Sequence, residues 1–413
     1  MIARRFDRFG TTIFTEMTLL AARYGAVNLA QGFPDFDGPA FIKRAAVEAI
    51  NADGHGANQY ARMFGLPALN AAIAADWVAR TGLETDPGTC VTVTSGCTEA
   101  ICAALMGLVN PGERVVLFEP YYDSYRAGVA MAGGEPVFVT LRAPDDRHGA
   151  FWFDEAQLRA AFALRPRCVL LNTPHNPTGK VFTRAELELV ARLCVEHDVI
   201  ALVDEVYEHL TYDPELPHVH LATLPGMAER TLTLSSLGKT FSLTGWKIGW
   251  SIGPAGLNKA VRAAHQFMTF SSATPLQAGA AAAAGGSAEA KEAIAELVEM
   301  LDGNRRFLAG VLADAGFEVF QPAGAYFIMV DWTRARPGGS GPLGERLESD
   351  AAFCKHLTEH AGVCAIPPGV FYENVQHGRP LARFAFCKKR ATLEQAAQRL
   401  SRWAKGETRA DGS

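Results

Sequence analysis

The sequence predicts an α/β fold with a mostly parallel central sheet, helices on both faces of that sheet, and a smaller α+β domain. Two observations indicate this fold class. Short β-branched runs alternate with helix-length segments through the middle of the chain, which is the pattern of βαβ units. After Gly256 this alternation gives way to long helices and isolated strands. The 413 residues also exceed the usual size of one compact domain, so we expect two domains.

The strands of the central sheet are predicted at apolar runs rich in β-branched residues. These runs are Val91–Thr94, Arg114–Glu119, Pro136–Leu141, Cys168–Asn172, Ile200–Glu205, Thr231–Ser236 and Gly249–Gly253. The helices predicted between them are Glu99–Val109, Tyr122–Ala132 and Arg184–His197. Ligands of such sheets bind at the carboxyl ends of the strands, so the residues that follow the strands are the candidates for a functional site.

The C-terminal part of the chain predicts the smaller domain. Helices are expected at Leu257–Phe270, Ala288–Ala315 and Asp350–Ala361, and strands at Glu318–Phe320, Tyr326–Asp331 and Arg383–Cys387. We expect a large domain over residues 45–290, and a small domain formed by residues 1–44 and 291–413.

Composition excludes several classes of function. The net charge of -5 and the pI of about 6.1 argue against a nucleic-acid partner or an anionic membrane surface. No apolar run approaches the roughly 20 residues that span a bilayer. The segment Met1–Gly10 lacks the apolar core of a secretory signal, and the eight cysteines show no CxxC spacing. These features predict a cytoplasmic protein with buried, reduced cysteines.

A metal site is not expected from the sequence. His218 and His220 flank Val219 in a proline-containing stretch, and a pair of histidines can bind a metal ion. We see no Cys, Asp or Glu placed to complete such a site, so the stretch is interpreted as an ordinary loop.

The first segment with chemical potential is Thr94–Ala100, where a strand runs through Gly96 into a helix. Backbone N–H groups at a helix N-terminus suit a phosphate, Gly96 lets an anion approach the main chain, and Thr98 adds a hydroxyl. Ordinary helix capping would produce the same pattern, so this segment alone is a weak signal.

Two further segments end predicted strands with polar side chains. Asn176 lies between two X-Pro bonds, which hold it stiffly enough to direct its amide at a ligand, although a tight turn would look similar. Asp204 follows the apolar run Ile200–Val203. A buried carboxylate there needs a partner, which a protonated pyridine nitrogen would supply. The alternative is an aspartate that caps the next helix.

The fourth segment contains Lys239, just beyond the predicted strand Thr231–Ser236 and among Gly, Ser and aromatic residues. A lysine in such surroundings can have a lowered pKa and act as a nucleophilic amine. Most single lysines lie on the surface, but the neighbouring hydroxyls and glycines favour a functional role for this one.

The run SSLGKTFSLTGWKIGW, together with NTPHNPTGKVF and DEVYEHL, closely resembles the fold-type I, pyridoxal-phosphate (PLP) dependent aminotransferases of class I. The segments NLAQGFPDFDGP and NQYARMFGLPALNAAI belong to the same pattern, and the resemblance extends from about Thr11 to Trp403. The chain is most similar to the branch that contains kynurenine, glutamine and methionine aminotransferases.

The resemblance implies a ping-pong transfer of an amino group from an amino acid to a 2-oxo acid such as 2-oxoglutarate, with PLP as cofactor. By position in the motifs, Lys239 is the Schiff-base lysine and Asp204 pairs with the pyridinium nitrogen. Tyr207 and Asn176 contact the ring 3-oxygen, and Tyr122 stacks on the ring.

The resemblance also assigns binding roles and an assembly. The residues that hold the phosphate are Gly96, Cys97, Thr98, Ser236 and Lys247. The family forms homodimers with shared active sites, which implies that Tyr60 of the other subunit also reaches the phosphate. Arg383 binds the substrate carboxylate, with Gly32 close to it, and the planar guanidinium suits that task.

Two positions refine the resemblance. Lys247 stands where many class I enzymes have Arg, which favours the kynurenine/glutamine branch. Ser271 stands where relatives specialised for aromatic substrates can have His, which weakens kynurenine as the main substrate. The alternatives are N-succinyl-diaminopimelate as the amino donor, and β-elimination from cysteine S-conjugates on the same fold. A PLP-binding regulator is disfavoured, because the family pattern begins near Thr11.

Overall fold

The computed structural model describes residues 2–7, 9–53, 56 and 58–407. Over these residues the chain contains twelve strands and thirteen α-helices. The strands are β1 (Val27–Asn28), β2 (Val91–Thr94), β3 (Arg114–Glu119), β4 (Glu135–Thr140), β5 (Cys168–Asn172), β6 (Ile200–Asp204), β7 (Thr231–Ser236), β8 (Gly249–Ile252), β9 (Glu318–Phe320), β10 (Phe327–Asp331), β11 (Val363–Cys364) and β12 (Leu381–Ala385).

The helices are α1 (Ile13–Arg23), α2 (Ala40–Asn51), α3 (Pro67–Thr81), α4 (Cys97–Leu108), α5 (Asp123–Met131), α6 (Glu155–Ala163), α7 (Arg184–His197), α8 (Leu237–Thr240), α9 (Ala255–Met268), α10 (Thr274–Ala284), α11 (Ala288–Asp314), α12 (Asp350–His356) and α13 (Arg390–Ala404). Short 3-10 helices cover Arg4–Phe6, Leu221–Thr223, Thr244–Trp246, Pro337–Gly339, Leu343–Glu345, Pro368–Phe371 and Val375–His377. No described helix has both the length and the apolar character needed to cross a membrane.

The central sheet has seven strands in the order β2-β8-β7-β6-β5-β3-β4, and only β8 runs antiparallel to its neighbours. The prediction of a mostly parallel sheet is therefore confirmed. The register pairs Asn172 with Asp204 and Ser236 with Gly249. The carboxyl ends of β5, β6 and β7 thus meet at one edge, together with the start of β8.

Helices cover both faces of this sheet because alternate strand residues point to opposite sides. Leu202 belongs to the core that also contains Ile101 and Leu105 of α4. Val203, the next residue, belongs to a second core with Val190 of α7. Asp204 follows on the side of Leu202, which is the side covered by α4.

A three-stranded antiparallel sheet, in the order β12-β10-β9, forms the centre of the C-terminal part. Its aromatic core includes Trp332 stacked on Phe353 at 4.7 Å between ring centres. The short strand β1 pairs in parallel with β11, so the N-terminal segment joins this part of the chain. That pairing supports the grouping of residues 1–44 with 291–413, and the domain boundaries themselves stay a prediction.

Element bounds differ from the predicted ones mainly where chain geometry ends an element. The helix predicted from Glu99 begins at Cys97, because Gly96 has a φ of 81° and serves as the N-cap. The strand predicted at Arg383–Cys387 is Leu381–Ala385, since Ala385 is the last residue paired with β10. The helix predicted over Asp350–Ala361 is α-helical only to His356 and continues as a π-helical turn, Leu357–Ala361.

Candidate active site

A cavity of about 270 Å³ lies at the carboxyl ends of β5, β6 and β7. It is lined by nearly all of the residues predicted for the site, namely Gly32, Gly96, Cys97, Thr98, Tyr122, Asn176, Asp204, Tyr207, Ser236, Lys239, Lys247 and Arg383. Further lining residues include Phe14, Gln31, Phe33, Ile101, Tyr125, Asn172 and Phe327. Tyr60 is the predicted site residue that does not line it.

Lys239 lies in α8, the single helical turn that follows β7. Its Nζ is 5.9 Å from the centre of the Tyr207 ring and 5.7 Å from that of Tyr326. Burial, reinforced by the positive charges of Lys247 and Arg383, lowers the pKa of Lys239. A lysine with a lowered pKa holds more of its amine in the neutral form, which is the form that attacks carbonyl groups and accepts protons.

The Asp204 carboxylate is held by three neutral donors in the part of the chain that the structure describes. The Tyr125 hydroxyl donates to Oδ2 at 2.6 Å, and the Val206 N–H and the Cys97 thiol donate to Oδ1 at 3.2 Å and 3.6 Å. Burial raises the pKa of Asp204. A buried carboxylate held only by neutral donors is suited to a cationic partner, and a protonated pyridine nitrogen fits that requirement.

The start of α4 forms a cradle for an anion. Gly96 is its N-cap and has no side chain to cap the helix, and the N–H groups of Cys97 and Thr98 precede the first bonds to the Gly96 carbonyl, which come from the Glu99 and Ala100 N–H groups. A Cβ atom on Gly96 would lie 2.9 Å from Lys247 Nζ, so the glycine lets the ammonium come close to the main chain. Backbone N–H groups, an ammonium and the Ser236 and Thr98 hydroxyls together fit a phosphate.

Arg383 is a buried cation that lines the cavity, with 1% of its surface exposed. Its Nη1 donates to Asn176 Oδ1 and its Nη2 to the Ala30 carbonyl, both at 2.9 Å. Its Nε has no hydrogen-bond partner among the described residues. Burial lowers the pKa of Arg383 to about 10. A guanidinium held by neutral acceptors is suited to a carboxylate ligand.

The aromatic residues of the cavity stay neutral. Burial raises the pKa of Tyr122 to about 12 and raises that of Tyr207 as well. Both phenols are therefore protonated near neutral pH and can donate hydrogen bonds.

The Gly32 carbonyl accepts a hydrogen bond from the Tyr326 hydroxyl at 2.6 Å, and a Cβ on Gly32 would lie 2.7 Å from the Phe327 ring.

Two residues of the site were missed by the sequence analysis. Tyr125 lies in the first turn of α5, donates to Asp204, and meets the ring of Tyr122, the N-cap of that helix, at 5.7 Å between ring centres. Asn172 ends β5; its Nδ2 donates to the Asp204 carbonyl at 2.8 Å, and its Oδ1 accepts from the Asn176 N–H at 2.7 Å. The rule that drew attention to Asp204, a polar residue at the carboxyl end of a buried strand, applies equally to Asn172.

Tyr60 lies on the surface of the protomer, with 81% of its area exposed. It meets the Phe270 ring edge-on at 5.4 Å between centres. It is therefore not packed in the core of its own subunit. Its predicted contact with the phosphate of another subunit stays a prediction.

The interpretation of the His218–His220 stretch was wrong in one respect, because an acidic residue does lie beside the histidines. Glu205 Oε2 is 2.6 Å from His220 Nδ1 and 3.3 Å from His218 Nε2. The sequence distance concealed this contact, since a strand end and a later loop meet only in the folded chain.

Comparisons with known proteins agree with this geometry. The family described as "Aminotransferase class I and II" matches residues 24–400. The probable N-succinyldiaminopimelate aminotransferase DapC of Mycobacterium tuberculosis is 43% identical over 410 residues, covering 97% of this chain and 98% of that protein. Human kynurenine–oxoglutarate transaminase 1 is 37% identical over 420 residues, covering 97% and 98%.

Solved structures are equally similar. The N-succinyldiaminopimelate aminotransferase of M. tuberculosis superposes with a TM-score of 0.89 at 43% identity, covering 97% of this chain and 99% of that chain. YbdL of Escherichia coli, described as having a methionine aminotransferase function, gives a TM-score of 0.88 at 35% identity with the same coverage. The chain therefore belongs to the class I and II aminotransferases, a family of fold-type I, PLP-dependent enzymes.

Proposed function

We propose that the cavity is the aminotransferase active site, with Lys239 as the residue that joins PLP covalently and moves the substrate's proton. The observation that carries this proposal is the convergence of Lys239, Asp204 and Arg383 on one cavity. These residues offer a buried amine of lowered pKa, a buried carboxylate held by neutral donors, and a buried guanidinium held by neutral acceptors.

The residues that would hold the cofactor lie around this cavity. Asp204 would keep the ring nitrogen protonated, and Tyr207 and Asn176 would donate to the ring 3-oxygen. Tyr122 would cover one face of the ring. The phosphate would be held at the start of α4 by the residues Gly96, Cys97, Thr98, Ser236 and Lys247. The phenols of raised pKa support these roles, because they remain donors.

Proton movement is the task of Lys239. When bound, PLP withdraws electrons from the α-carbon of the substrate, and the protein contributes orientation and electrostatics. With a lowered pKa, the Lys239 amine is available to accept the proton from that α-carbon.

Arg383 would fix the substrate by its carboxylate. Its contacts with Asn176 and Ala30 hold the guanidinium in place. The carboxylate of either substrate, the amino acid or the 2-oxo acid, would accept the remaining hydrogen bonds of the Arg383 guanidinium. Gly32 keeps this corner open, since a side chain there would meet Phe327.

The proposed donors are amino acids of the kynurenine, methionine, glutamine or aromatic type, with a 2-oxo acid such as 2-oxoglutarate as acceptor. N-succinyl-diaminopimelate is a second candidate donor. The 43% identity with the M. tuberculosis relative, above the 37% with human kynurenine–oxoglutarate transaminase 1, favours it.

We also propose a homodimer with shared active sites, in which Tyr60 reaches the phosphate of the other subunit. The exposed position of Tyr60 supports this, as does its contact with Phe270, which is itself 47% exposed. A cytoplasmic location is proposed as well. Its support is that all eight cysteines are free thiols, as expected in a reducing compartment.

The role of Lys239 is tested by Lys239→Ala, with exposed Lys259→Ala as the matched control. We expect turnover to fall by about 10²–10⁴-fold or more, with an unchanged circular dichroism spectrum. Borohydride reduction of the wild-type holoenzyme should label the peptide that contains Lys239. Wild-type turnover in the variant, or a label on another lysine, would refute the assignment.

The donor is tested by adding a panel of amino acids to the PLP form and following the cofactor's absorbance. The panel contains kynurenine, methionine, glutamine, phenylalanine and N-succinyl-diaminopimelate. A rate constant highest for N-succinyl-diaminopimelate would select the second candidate.

With a cysteine S-conjugate, pyruvate and ammonia as products would mean elimination, whereas a 2-oxo acid that keeps the side chain would mean transamination.

A further inference from the structure

We propose that Glu205, His218 and His220 form a binding site for a divalent transition-metal ion, with Zn²⁺ as the expected occupant. The three residues lie outside the lining of the active-site cavity, although Glu205 directly follows Asp204 in the chain. Each offers one ligand atom, and these atoms all lie within 4.8 Å of one another.

The spacing of the ligand atoms suits a small cation. Zn²⁺ binds imidazole nitrogen and carboxylate oxygen at about 2.0–2.2 Å, so the ligand atoms of a tetrahedral site are roughly 3.3 Å apart. Glu205 Oε2 and His218 Nε2 are separated by 3.3 Å. Glu205 Oε2 and His220 Nδ1 are separated by 2.6 Å, a hydrogen-bond distance, and the imidazole ligand atoms lie within 4.8 Å of each other, so the side chains would have to readjust around the ion.

Unused bonding capacity in the cluster points to a missing partner. Glu205 Oε1 and His218 Nδ1 are buried without a hydrogen-bond partner among the described residues, and His218 Nε2 has only its 3.3 Å contact with Glu205 Oε2. The exposed fraction is 0% for the Glu205 side chain and 7% for that of His218. Buried polar groups are nearly always bonded. One cation between Glu205 and His218 would satisfy a carboxylate and an imidazole together.

The surrounding charges also favour a cation. Arg80 donates to Glu208 at 2.6 Å and to Asp76 at 2.8 Å. With Glu205, three carboxylates therefore share this region with one guanidinium and with the imidazoles of His218 and His220. Buried ions require compensation, and a divalent ion would supply it.

Arg80 is also the group that would have to adjust. Its Nη1 lies 3.0 Å from His220 Nε2. When Nδ1 of an imidazole binds a metal ion, Nε2 carries a proton and no longer accepts from a donor. Metal binding would therefore release this contact, while Arg80 keeps its two carboxylate partners.

Two imidazoles and one carboxylate form a ligand set that zinc shares with other first-row ions, and a water molecule would take the fourth position. The expected role is structural. The ion would tie the loop that carries His218 and His220 to the end of β6, one residue beyond Asp204, and would thereby support the position of Asp204.

The test uses the untagged, full-length holoenzyme, stripped with a chelator and then titrated with Zn²⁺ or Co²⁺. We expect one Zn²⁺ per chain after gel filtration, a Co²⁺ visible spectrum typical of four-coordinate sites, and a raised thermal unfolding midpoint. His218→Ala and Glu205→Gln should each weaken Zn²⁺ binding by about 10–100-fold or more. His148→Ala, which removes a more exposed histidine paired with Asp145, is the matched control and should bind like the wild type.

The wild-type stoichiometry decides the matter even where a variant fails to fold. If the stripped wild-type enzyme binds no Zn²⁺ when it is titrated, the proposal is overturned. Wild-type Zn²⁺ affinity in the Glu205→Gln variant would overturn it as well. The cofactor absorbance and the transamination rate are measured in the same samples. The metal site does not depend on the proposed function, so loss of one leaves the other standing.

Discussion

Arg383 has the environment with the most direct consequence for substrate binding. It is buried, its hydrogen-bond partners are the neutral Asn176 amide and Ala30 carbonyl, and its guanidinium carbon lies 4.3 Å from the centre of the Phe327 ring. A cation held in this way is stabilised further by any carboxylate that reaches it. Removal of the Arg383 side chain should therefore affect substrate binding more than cofactor binding.

Arg383→Ala is therefore expected to raise KM for amino donors and 2-oxo acids while PLP remains bound. A charge-assisted hydrogen bond contributes about 1.5–3 kcal/mol, which corresponds to a loss of roughly 10–100-fold in kcat/KM. Steady-state kinetics with several donors measure it, and Arg334→Ala, at a position where the side chain is 86% exposed, is the control. An unchanged KM for every donor would show that Arg383 does not bind the carboxylate.

Tyr125 supports Asp204 through a single short hydrogen bond of 2.6 Å. Tyr125→Phe removes that donor and keeps the ring, so the ionised form of Asp204 loses stabilisation. We expect kcat to fall on the order of tenfold and the absorbance of the bound cofactor to shift. Tyr372→Phe, a change at another buried tyrosine that does not line the cavity, is the control. Wild-type kcat and spectrum in Tyr125→Phe would contradict a supporting role.

At the scale of elements, helices α4 and α9 are joined by a buried charge pair. Glu99 Oε1 accepts from His265 Nδ1 at 2.7 Å and from the Thr269 hydroxyl at 2.6 Å, while the Glu99 carboxylate also accepts from the Ser95 N–H. His265 Nε2 faces the Met63 carbonyl at 2.7 Å. Both ring nitrogens therefore face acceptors, which favours the charged imidazolium.

This pair predicts a pH-dependent contribution to stability. Burial disfavours the charged imidazole, but the hydrogen bond and charge of Glu99 outweigh it and raise the pKa of His265 above 6.5. Burial likewise opposes ionisation of Glu99, yet its bonds from His265 and Thr269 lower its pKa below 4.5. The stabilisation by His265 is complete below its unfolded pKa and is lost as pH rises through the raised value.

The difference in unfolding free energy between the wild type and His265→Gln should thus be largest below pH 6.5 and should shrink as the pH rises through the raised pKa of His265. Urea unfolding at several pH values measures it. His148→Gln, at a more exposed histidine, is the control. A difference that stays constant with pH would mean that folding does not raise the pKa of His265.

Elements were predicted well where burial defines them and less well where geometry does. The strand Cys168–Asn172 and the helix Arg184–His197 lie where predicted, because a continuous apolar run or an apolar face identifies them. The antiparallel direction of β8 leaves no trace in its apolar pattern. The contact of Glu205 with His218 and His220 was equally hidden, since it depends on the path of a loop.

At the scale of the whole molecule, large aromatic side chains are exposed at and just beyond the end of α9, where Phe270 contacts Tyr60. Phe267 is 84% exposed and Phe270 47% exposed, and Tyr60 contacts Phe270. Exposed apolar patches of this kind are typical of subunit interfaces. Two-fold dimers are also the commonest closed assembly.

The proposed crossing of Tyr60 to the other subunit predicts complementation between two impaired variants. In a hybrid of Tyr60→Ala and Lys239→Ala subunits, one site would receive a wild-type Lys239 and a wild-type Tyr60, and the other would receive neither. Mixing the variants under conditions that exchange subunits should therefore restore activity to about the level of one wild-type site per hybrid. No gain in activity, with hybrids demonstrated by mass spectrometry, would mean that Tyr60 serves its own subunit.

The reversed strand β8 has a consequence for how this enzyme can vary. Because β8 starts at the edge where β7 ends, the chain between them is a closed loop, fastened where the Leu237 N–H donates to the Ile248 carbonyl at 3.0 Å. Lys239 and Lys247 stand on the two sides of that loop. A residue gained or lost between them would misalign one lysine against the other. Insertions and deletions should therefore be absent from this loop in functional relatives. They should be frequent in the loops at the opposite end of the strands, away from the cavity.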